Sequence, residues 1–385
     1  MSATLVGFWV RVGRVLSQRD LASGLASAEV PPRVNQMRAL IRSSWLVAFA
    51  VVPLAATIAG CVFYWQHGSF AGDFHRTIYP QAQDIVQGRP VFDPPNAPIT
   101  GNNHLFSVTA VLAATPLTLL RPDVADITMT VLIAVAAIVT LGVLRVRDWR
   151  VYGLVFLWPP VISALQTGNL TIFIGLAAAF AWRTRQRRLL PGAFVGLAFA
   201  LKLFPWPLAV WLIATRRYAA ALIAAAVGMA SVLLILPFGD IGGYFTLVKR
   251  NGEAWDRSAY SIYALLGGGG FARTIWLVVA IATLALALRL DDRRSFTFAV
   301  AACILFSPIV WVQYFALLLV PLAIARPRLG PIWFLPLVYW FVPFSQETRW
   351  QIVLALTVMT TLLAGISVSF TRRRVAPGCL ADCRE

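Results

Sequence analysis

Long apolar runs separated by short polar segments form the dominant pattern of this chain. The runs recur from position 44 to position 370, and most are long enough to cross, or nearly cross, the roughly 30 Å hydrocarbon core of a bilayer. The pattern predicts an all-α polytopic membrane protein, since helices satisfy their own backbone groups in lipid. It divides the chain into a basic N-terminal segment (1–43), a transmembrane domain (44–370) and a short cytoplasmic tail (371–385).

Twelve crossings, with both termini in the cytoplasm, account for these runs. Two long polar segments interrupt them on the outer side, at 66–124 and 238–272. Residues 1–43 carry no apolar stretch followed by a cleavage site, so we expect no cleaved signal peptide. The predicted spans are 44–65, 125–144, 151–166, 169–182, 190–201, 203–215, 218–237, 273–290, 296–311, 314–325, 331–344 and 350–370.

An apolar stretch at 105–120 presents the main topological choice. Counted as a full span, it places the next basic cluster outside and upsets the later alternation. Treated as a helix that lies in or dips into the outer leaflet, it lets every later basic cluster fall on the inner side, where Lys and Arg are enriched. We therefore expect in-plane helices in the first outer segment.

Composition and charge agree with a membrane protein. Of the 385 residues, 59% are hydrophobic, whereas soluble domains are about half apolar. The formal net charge of +17 does not indicate a nucleic-acid partner, because the basic clusters lie between the apolar runs and mark the cytoplasmic side. With those clusters inside, the positive excess is wholly cytoplasmic. They are Arg33, Arg38 and Arg42; Arg145, Arg147 and Arg150; Arg183, Arg185, Arg187 and Arg188; Arg216 and Arg217; Arg289, Arg293 and Arg294; Arg326 and Arg328; and Arg372, Arg373 and Arg374.

The acidic and sulfur-containing residues exclude some classes of function. No Asp or Glu falls in the middle of a predicted span, which weakens an ion-coupled transporter, since such proteins need ionisable groups inside the membrane. The four cysteines form no convincing metal or disulfide framework. Asp73 and His75 make at most a weak metal site. We expect no metal and no cofactor.

Asp73 is the residue that points most directly to chemistry. It lies a few residues beyond the outer end of the first predicted span, where a lipid-carried substrate would present its head group. A transferase that takes a sugar from a lipid phosphate needs a carboxylate base for the acceptor hydroxyl and cations near the leaving phosphate. Asp73 is the candidate base. The candidate phosphate-binding residues are Lys202, Arg76, Arg257, Lys249 and Arg250, and the candidates for sugar or lipid contact are Tyr79, Asn169, Tyr260, Trp311 and Gln313.

Each of these residues also has a simpler interpretation. An Asp beside a membrane is usually solvated, and Lys202 near an outer boundary can extend its amine to the head groups. Aromatic residues at the outer ends of spans commonly form an interfacial belt. The adjacent Lys249 and Arg250 also fit a solvated loop.

Several separated segments nevertheless resemble a known family in their order and spacing. Asp73-Phe74 is followed by GRPVF at 88–92, LWPP at 157–160, QTGNL at 166–170, GAFVGLAFALKLFP at 192–205, SAYSIY at 258–263 and LFSPIVW at 305–311. Together they resemble glycosyltransferase family 87, the polyprenyl-phosphate-sugar-dependent integral-membrane mannosyltransferases of the GT-C superfamily. The resemblance extends over roughly residues 70 to 325. Family members often carry a His where Gln313 stands.

The resemblance implies a GT-C-type fold with in-plane helices in the first outer loop, Asp73 as the base, and an outer-leaflet donor such as polyprenyl phosphomannose. We expect a hexosyltransferase of the plasma membrane with an extracytoplasmic site, which moves mannose to a lipid or glycan acceptor. An arabinofuranosyl donor is the close variant. A flippase or transporter of lipid-linked saccharides and a purely structural membrane protein remain as alternatives.

Overall fold

The structure is a computed structural model that describes residues 37, 40–41, 43–100, 102–307, 309–342 and 348–375, with side chains up to residue 370. Most of the predicted basic segment 1–43, and the tail from 376 onward, lie outside these residues. The chain divides into two compact units, Met1–Ala48 and Phe49–Glu385. In the first unit the described residues are helical, and the Ser44 hydroxyl donates to the carbonyl of Leu40 at 2.8 Å.

In the second unit, all regular secondary structure of the described residues is helical. Short 3-10 and π-helical turns extend or connect the α-helices, at Phe74–Ile78, Thr115–Leu119, Val312–Leu318 and Pro331–Phe341 among others. The α-helices are α1 (Val52–Gln66), α2 (Tyr79–Val86), α3 (Val108–Ala114), α4 (Pro122–Val143), α5 (Trp149–Val155), α6 (Pro159–Thr167), α7 (Thr171–Arg183), α8 (Leu190–Leu201), α9 (Pro207–Ala214), α10 (Tyr218–Leu233), α11 (Ile241–Trp255), α12 (Ile262–Leu265), α13 (Gly269–Arg289), α14 (Asp292–Leu305), α15 (Leu319–Ala325) and α16 (Arg349–Val375).

Four of the described helical segments are long and apolar enough to cross a membrane: Ser43–Gln66, Pro122–Val143, Gly269–Arg289 and Arg349–Phe370. The pair α6 and α7 forms a fifth if it counts as one broken span, since the two helices are bent by 118°. Five further apolar helical segments among the described residues are 10–17 residues long. Twelve crossings and a GT-C fold therefore stay predictions.

Proline explains several of the short helices. The predicted span 151–166 consists of α5 and α6, because Pro159 and Pro160 cannot continue the preceding helix and instead begin the next one. The predicted span 203–215 contains only α9, which begins at Pro207. Pro336 lies within Pro331–Phe341, and this segment forms a 3-10 helix instead of a regular α-helix.

The apolar stretch at 105–120 is helical but short. α3 continues into a 3-10 turn to give an apolar helical segment, Val108–Leu119. Its 12 residues would reach about 18 Å at 1.5 Å per residue, which is too short to cross a bilayer. Ser107 caps α3 by accepting from the Ala110 N–H, and its hydroxyl donates to the carbonyl of Ala200 at 2.6 Å. The segment is thus fixed against the end of α8.

Helices α7 and α8 connect two chemically different ends of the second unit. α7 runs from beside Asn169 to the basic loop with Arg185, and α8 returns from that loop to Lys202. At 13 and 12 residues, they separate the two ends by about 20 Å. Which end faces the cytoplasm stays a prediction.

The basic end is held together by an ion cluster. Arg217 donates to both carboxylate oxygens of Asp292, at 2.7 and 2.9 Å. Arg185 Nε lies 3.3 Å from the same carboxylate, and the indole N–H of Trp211 donates to it at 2.9 Å. The loops after α7 and α9 and the start of α14 therefore meet at this point.

The packed core and the exposed apolar faces suit a lipid environment. A single large cluster of buried residues includes Trp158, Trp211 and Phe296, whereas α1, α4 and α13 expose rows of large apolar side chains. Soluble monomers rarely expose contiguous apolar surface of this kind. The outward faces of these long helices are therefore suited to contact with acyl chains.

Candidate active site

A cavity of about 560 Å³ opens at the end of the second unit opposite the ion cluster. Its walls come from the segment that follows α1, the start of α3, the turn between α6 and α7, the residues after α8, one face of α11, and the 3-10 turn before α15. The polar and aromatic lining residues include Asp73, Arg76, Asn102, Asn103, Ser163, Gln166, Asn169, Lys202, Tyr244, Asn251, Trp255, Trp311, Gln313 and Tyr314.

Close packing of two turns sets the position of Asp73. Gly168 ends α6 with φ +67°, in the left-handed region that glycine tolerates best. A Cβ at Gly168 would lie 2.7 Å from the Cβ of Phe74, so no larger residue fits without movement. The N–H of Ala71 donates to the carbonyl of Gln166 at 2.6 Å. The α6–α7 turn therefore lies directly against the segment that carries Asp73.

Asp73 and Lys202 lie on opposite sides of Asn169. The amide N–H of Asn169 donates to Asp73 Oδ2 at 2.5 Å, and Lys202 Nζ donates to Asn169 Oδ1 at 3.3 Å. The oxygen of Asn169 also accepts from the backbone N–H of Thr171 at 3.0 Å and from its hydroxyl at 2.6 Å. A carboxylate and a cation are thus placed in one cavity through a single amide.

Burial raises the pKa of Asp73, while the charge of Lys202 and the hydrogen bond from Asn169 offset part of that effect. The shift is the one expected for a carboxylate that leaves water with incomplete compensation. A carboxylate with a raised pKa is a stronger base than a solvated one. The arrangement therefore suits proton abstraction by the charged form of Asp73.

Lys202 is surrounded by aromatic rings. Its amine lies 4.9 Å from the ring centre of Tyr314, 3.4 Å from the Tyr314 hydroxyl, and 5.6 Å from the ring centre of Phe106. Phe204 stacks on Tyr314 with ring centres 4.8 Å apart. Among the described residues Lys202 forms no ion pair, so its charge is available to an anionic ligand.

The structure brings part of the sequence-predicted set together. Arg76 lines the cavity and donates to the carbonyl of Gly68 at 2.9 Å. Trp311 lies beside Trp255, with ring centres 6.2 Å apart. Gln313 accepts from the Ser163 hydroxyl at 3.1 Å. The candidates that line the cavity are Asp73, Arg76, Asn169, Lys202, Trp311 and Gln313.

The remaining candidates are not among the residues that line this cavity. Tyr79 is buried and donates to the carbonyl of Leu120 at 3.0 Å, and Tyr260 is also buried. Lys249 is exposed and lies 3.8 Å from Glu253. Arg250 donates to the carbonyl of Pro95, and Arg257 lies beside Gly268 at the start of α13.

Helix α11 supplies cavity residues that sequence reasoning missed. Tyr244, Val248, Asn251 and Trp255 line the cavity at positions i, i+4, i+7 and i+11, which is one face of a helix. Projecting 241–255 as a helix would have found this face. Burial raises the pKa of Tyr244 to about 12, so its phenol stays protonated at neutral pH.

The described residues of the cavity include no cluster of metal ligands. Asp73 is the only carboxylate among the described residues that line it. In the part of the chain that the structure describes, no group of three or more His, Cys, Asp or Glu residues could hold a metal ion. The chemistry within reach of the described side chains is therefore proton transfer by one carboxylate beside cations.

Comparison with known proteins identifies the family. Residues 104–312 match the model of glycosyltransferase family 87, a segment that starts after Asp73. A curated relative, the polyprenol-phosphate-mannose-dependent alpha-(1-2)-phosphatidylinositol pentamannoside mannosyltransferase of Mycobacterium tuberculosis (strain CDC 1551 / Oshkosh), is 31% identical over 227 residues, which cover 50% of this chain and 52% of the relative. The chain thus matches about half the length of that relative. No solved structure matches the chain. Because the family match covers more than half of the chain and includes Asn169, Lys202 and Trp311, the chain belongs to glycosyltransferase family 87.

Proposed function

We propose that this protein is a membrane glycosyltransferase that moves a hexose from a polyprenyl monophosphate to a lipid or glycan acceptor. We expect the hexose to be mannose. The observation that carries the proposal is the placement of Asp73 and Lys202 on either side of Asn169 in one cavity. The name of the curated relative supports the donor, since that protein depends on polyprenol phosphate mannose. The acceptor class is supported by the same name, which describes a phosphatidylinositol mannoside.

Asp73 acts as the general base. An acceptor hydroxyl attacks the anomeric carbon of the donor sugar while Asp73 takes the hydroxyl proton. A new bond forms between the acceptor oxygen and that carbon, and the bond from the carbon to the phosphate oxygen breaks. The electron pair of that bond leaves with the phosphate, so polyprenyl monophosphate is the second product.

Lys202 and Arg76 stabilise the leaving phosphate. Negative charge develops on the phosphate oxygen as its bond to the sugar breaks, and cations held in place before the reaction stabilise that charge. Lys202 contributes a point charge, and Arg76 a planar group that can donate two hydrogen bonds to one phosphate. Both lie on the cavity wall with Asp73.

A single displacement follows from the lining of the cavity. Retaining glycosidases use a second carboxylate as a nucleophile, whereas Asp73 is the only carboxylate among the described lining residues. We therefore expect direct attack and inversion at the anomeric carbon. Trp311 and Trp255, whose ring centres lie 6.2 Å apart, provide apolar faces for a sugar ring or an isoprenoid unit.

The site is proposed to face the extracytoplasmic side of the plasma membrane. Excess Lys and Arg in short loops is typical of the cytoplasmic side. The basic loops with Arg185 and Arg217 meet at Asp292, about 20 Å from the cavity along α7 and α8. We also propose that both termini are cytoplasmic.

The test is transfer by the purified protein. Proteoliposomes receive radiolabelled polyprenyl phosphomannose with candidate membrane lipids, and the products are separated by polarity. We expect label in a lipid or glycan product with the wild-type protein but not with Asp73→Asn. Asp123→Asn is the matched control and should keep the activity, because Asp123 pairs with Arg121 away from the cavity. A parallel arm uses a polyprenyl phosphoarabinose donor. Binding of donor without any transfer of label, with every acceptor, would point instead to a carrier of lipid-linked saccharides.

A further inference from the structure

We propose that Asn169 is a positioning residue for the base, and that Thr171 fixes the orientation in which Asn169 holds Asp73. The sequence pattern had suggested sugar or lipid contact for Asn169, and nothing in the chain had drawn attention to Thr171. This inference rests on the proposed function, since it describes how that site keeps its carboxylate ready for reaction.

Two obligate donors determine which way the Asn169 amide points. The backbone N–H of Thr171, 3.0 Å away, and the ammonium of Lys202, 3.3 Å away, can only donate hydrogen bonds. Both therefore require the carbonyl oxygen of Asn169 on their side. The Thr171 hydroxyl, at 2.6 Å, adds a third donor to the same oxygen. A flipped amide would place an NH₂ group against the N–H and the ammonium, so it is excluded.

The amide nitrogen must then face Asp73. It lies 2.5 Å from Asp73 Oδ2, which an NH₂ group can approach only as a donor. A donated hydrogen bond favours the charged carboxylate over the neutral acid. With Oδ2 engaged in this way, Oδ1 is left to take the proton of the acceptor hydroxyl.

The other charged groups near Asp73 do not replace this contact. Lys202 acts on the carboxylate through its charge and is itself bound to the oxygen of Asn169. Arg76 lines the same cavity but donates to the carbonyl of Gly68. His75 is turned away and lies 2.7 Å from Asp126. Burial raises the pKa of Asp73, and both the charge of Lys202 and the hydrogen bond from Asn169 limit this rise.

Two features that close the α6–α7 turn do not use the Asn169 side chain. The turn is closed by Gly168 in the left-handed region and by a backbone hydrogen bond from Asn169 N–H to the carbonyl of Ala164 at 2.9 Å. Replacement of the side chain therefore removes the contact with Asp73 and leaves these two features in place. The backbone N–H of Thr171 also loses its acceptor in such a variant, so the pH–rate profile, read beside thermal unfolding, separates a positioning role from a purely structural one.

The experiment compares pH–rate profiles of the full-length protein in proteoliposomes with polyprenyl phosphomannose as donor. For Asn169→Ala we expect the acidic limb of kcat to move up by about one to two pH units, the size of a lost hydrogen bond to a charged group. The donor KM should stay within about threefold, because the contact is not made to the substrate. Thermal unfolding in detergent checks that the variant is folded.

Thr171 provides an independent pair of variants. Thr171→Val keeps the shape and the backbone N–H but loses the hydroxyl, so a smaller upward shift of the acidic limb is expected. Thr171→Ser restores the hydroxyl and should restore the profile. If Asn169→Ala does not fold, this pair of variants still tests whether the Asn169 amide, oriented by Thr171, positions Asp73.

The failures of the two proposals are distinguishable. An unchanged acidic limb in Asn169→Ala, with only a raised donor KM, would overturn the positioning role and return Asn169 to substrate contact. An unchanged limb in Thr171→Val would overturn the role of Thr171. Full transfer by Asp73→Asn in the same assay would instead reject Asp73 as the base, and with it the proposed mechanism.

Discussion

Lys202 Nζ lies 3.4 Å from the hydroxyl of Tyr314 and 4.9 Å from the centre of its ring, although the two residues are 112 positions apart. An aromatic face attracts a cation but does not neutralise its charge. A carboxylate in the same place would neutralise it. The contact holds the ammonium in the cavity with its charge available. This arrangement suits the binding of a phosphate that gains negative charge during the reaction.

Replacement of Lys202 tests that role. For Lys202→Met we expect transfer to fall by about 100-fold or more, the usual effect of removing one group that stabilises developing charge. Lys202→Arg should retain part of the activity, because the charge is kept but the guanidinium does not fit between the rings in the same way. The measurement is kcat/KM with polyprenyl phosphomannose. Arg121→Met is the control, since Arg121 is exposed and lies beside Asp123; equal losses in both variants would contradict the assignment.

The rate should depend on pH through Asp73. Burial raises the pKa of this carboxyl, and only its charged form can take the acceptor proton. The rate of transfer should therefore fall as the pH drops through the raised pKa, at a pH above the value near 3.9 of an exposed Asp. Lys202→Met should move this limb further up, because the charge of Lys202 lowers the pKa of Asp73. A rate that stays constant down to about pH 4 would contradict this prediction.

Asp73 should also reduce the stability of the protein at neutral pH. A carboxyl whose pKa is higher in the folded state than in the unfolded state contributes stability below the unfolded pKa, and this contribution is lost as the pH rises through the folded pKa. Asp73→Asn carries no charge at any pH, so its Tm at pH 7 should exceed that of the wild type, by on the order of 3 °C. The difference should shrink at low pH. Thermal unfolding in detergent at several pH values measures this difference, and a lower Tm for Asp73→Asn at pH 7 would contradict a raised pKa of Asp73 in the folded state.

The contact between Gly168 and Phe74 should be necessary for activity. Gly168→Ala introduces a methyl group 2.7 Å from the Cβ of Phe74 and must displace the segment that carries Asp73. We expect a loss of transfer of at least tenfold, since misplacement by about 1 Å can cost 100-fold. Gly88→Ala is a matched control, because Gly88 has φ +66° but nothing within 4 Å of an added Cβ.

Both glycine variants carry the same backbone strain, about 1–2 kcal/mol for a left-handed residue. The loss of stability should therefore be similar, and only Gly168→Ala should lose transfer. Similar losses of transfer in both variants would show that strain alone, and not the contact with Phe74, explains the effect.

The sequence was sufficient to find Asp73 and Lys202, the two charged residues that Asn169 joins. Asp73 lies a few residues beyond one apolar run, and Lys202 lies at the end of another, shortly before Pro205 and Pro207, so the hydrophobic pattern alone identifies both. It was not sufficient to find how they are joined. The role of Asn169 depends on the left-handed turn at Gly168 and on donors from Thr171, which only the folded backbone brings together.

The face of the helix on which a residue lies explains why some candidate cations do not line the cavity. Lys249 and Arg250 lie on α11 next to cavity residues, but the cavity meets the face of Tyr244, Asn251 and Trp255. Proximity in sequence cannot distinguish faces of a helix unless its period of 3.6 is applied. Helix lengths were equally hard to predict, since prolines such as Pro207 shorten helices within apolar runs that read as continuous.

Donor binding and product formation by Asp73→Asn, measured on one preparation, test the central claim most directly. Radiolabelled polyprenyl phosphomannose should bind to the variant almost as tightly as to the wild type, since Lys202 and Arg76 are intact, while no labelled product forms. Full product formation by Asp73→Asn would contradict the account.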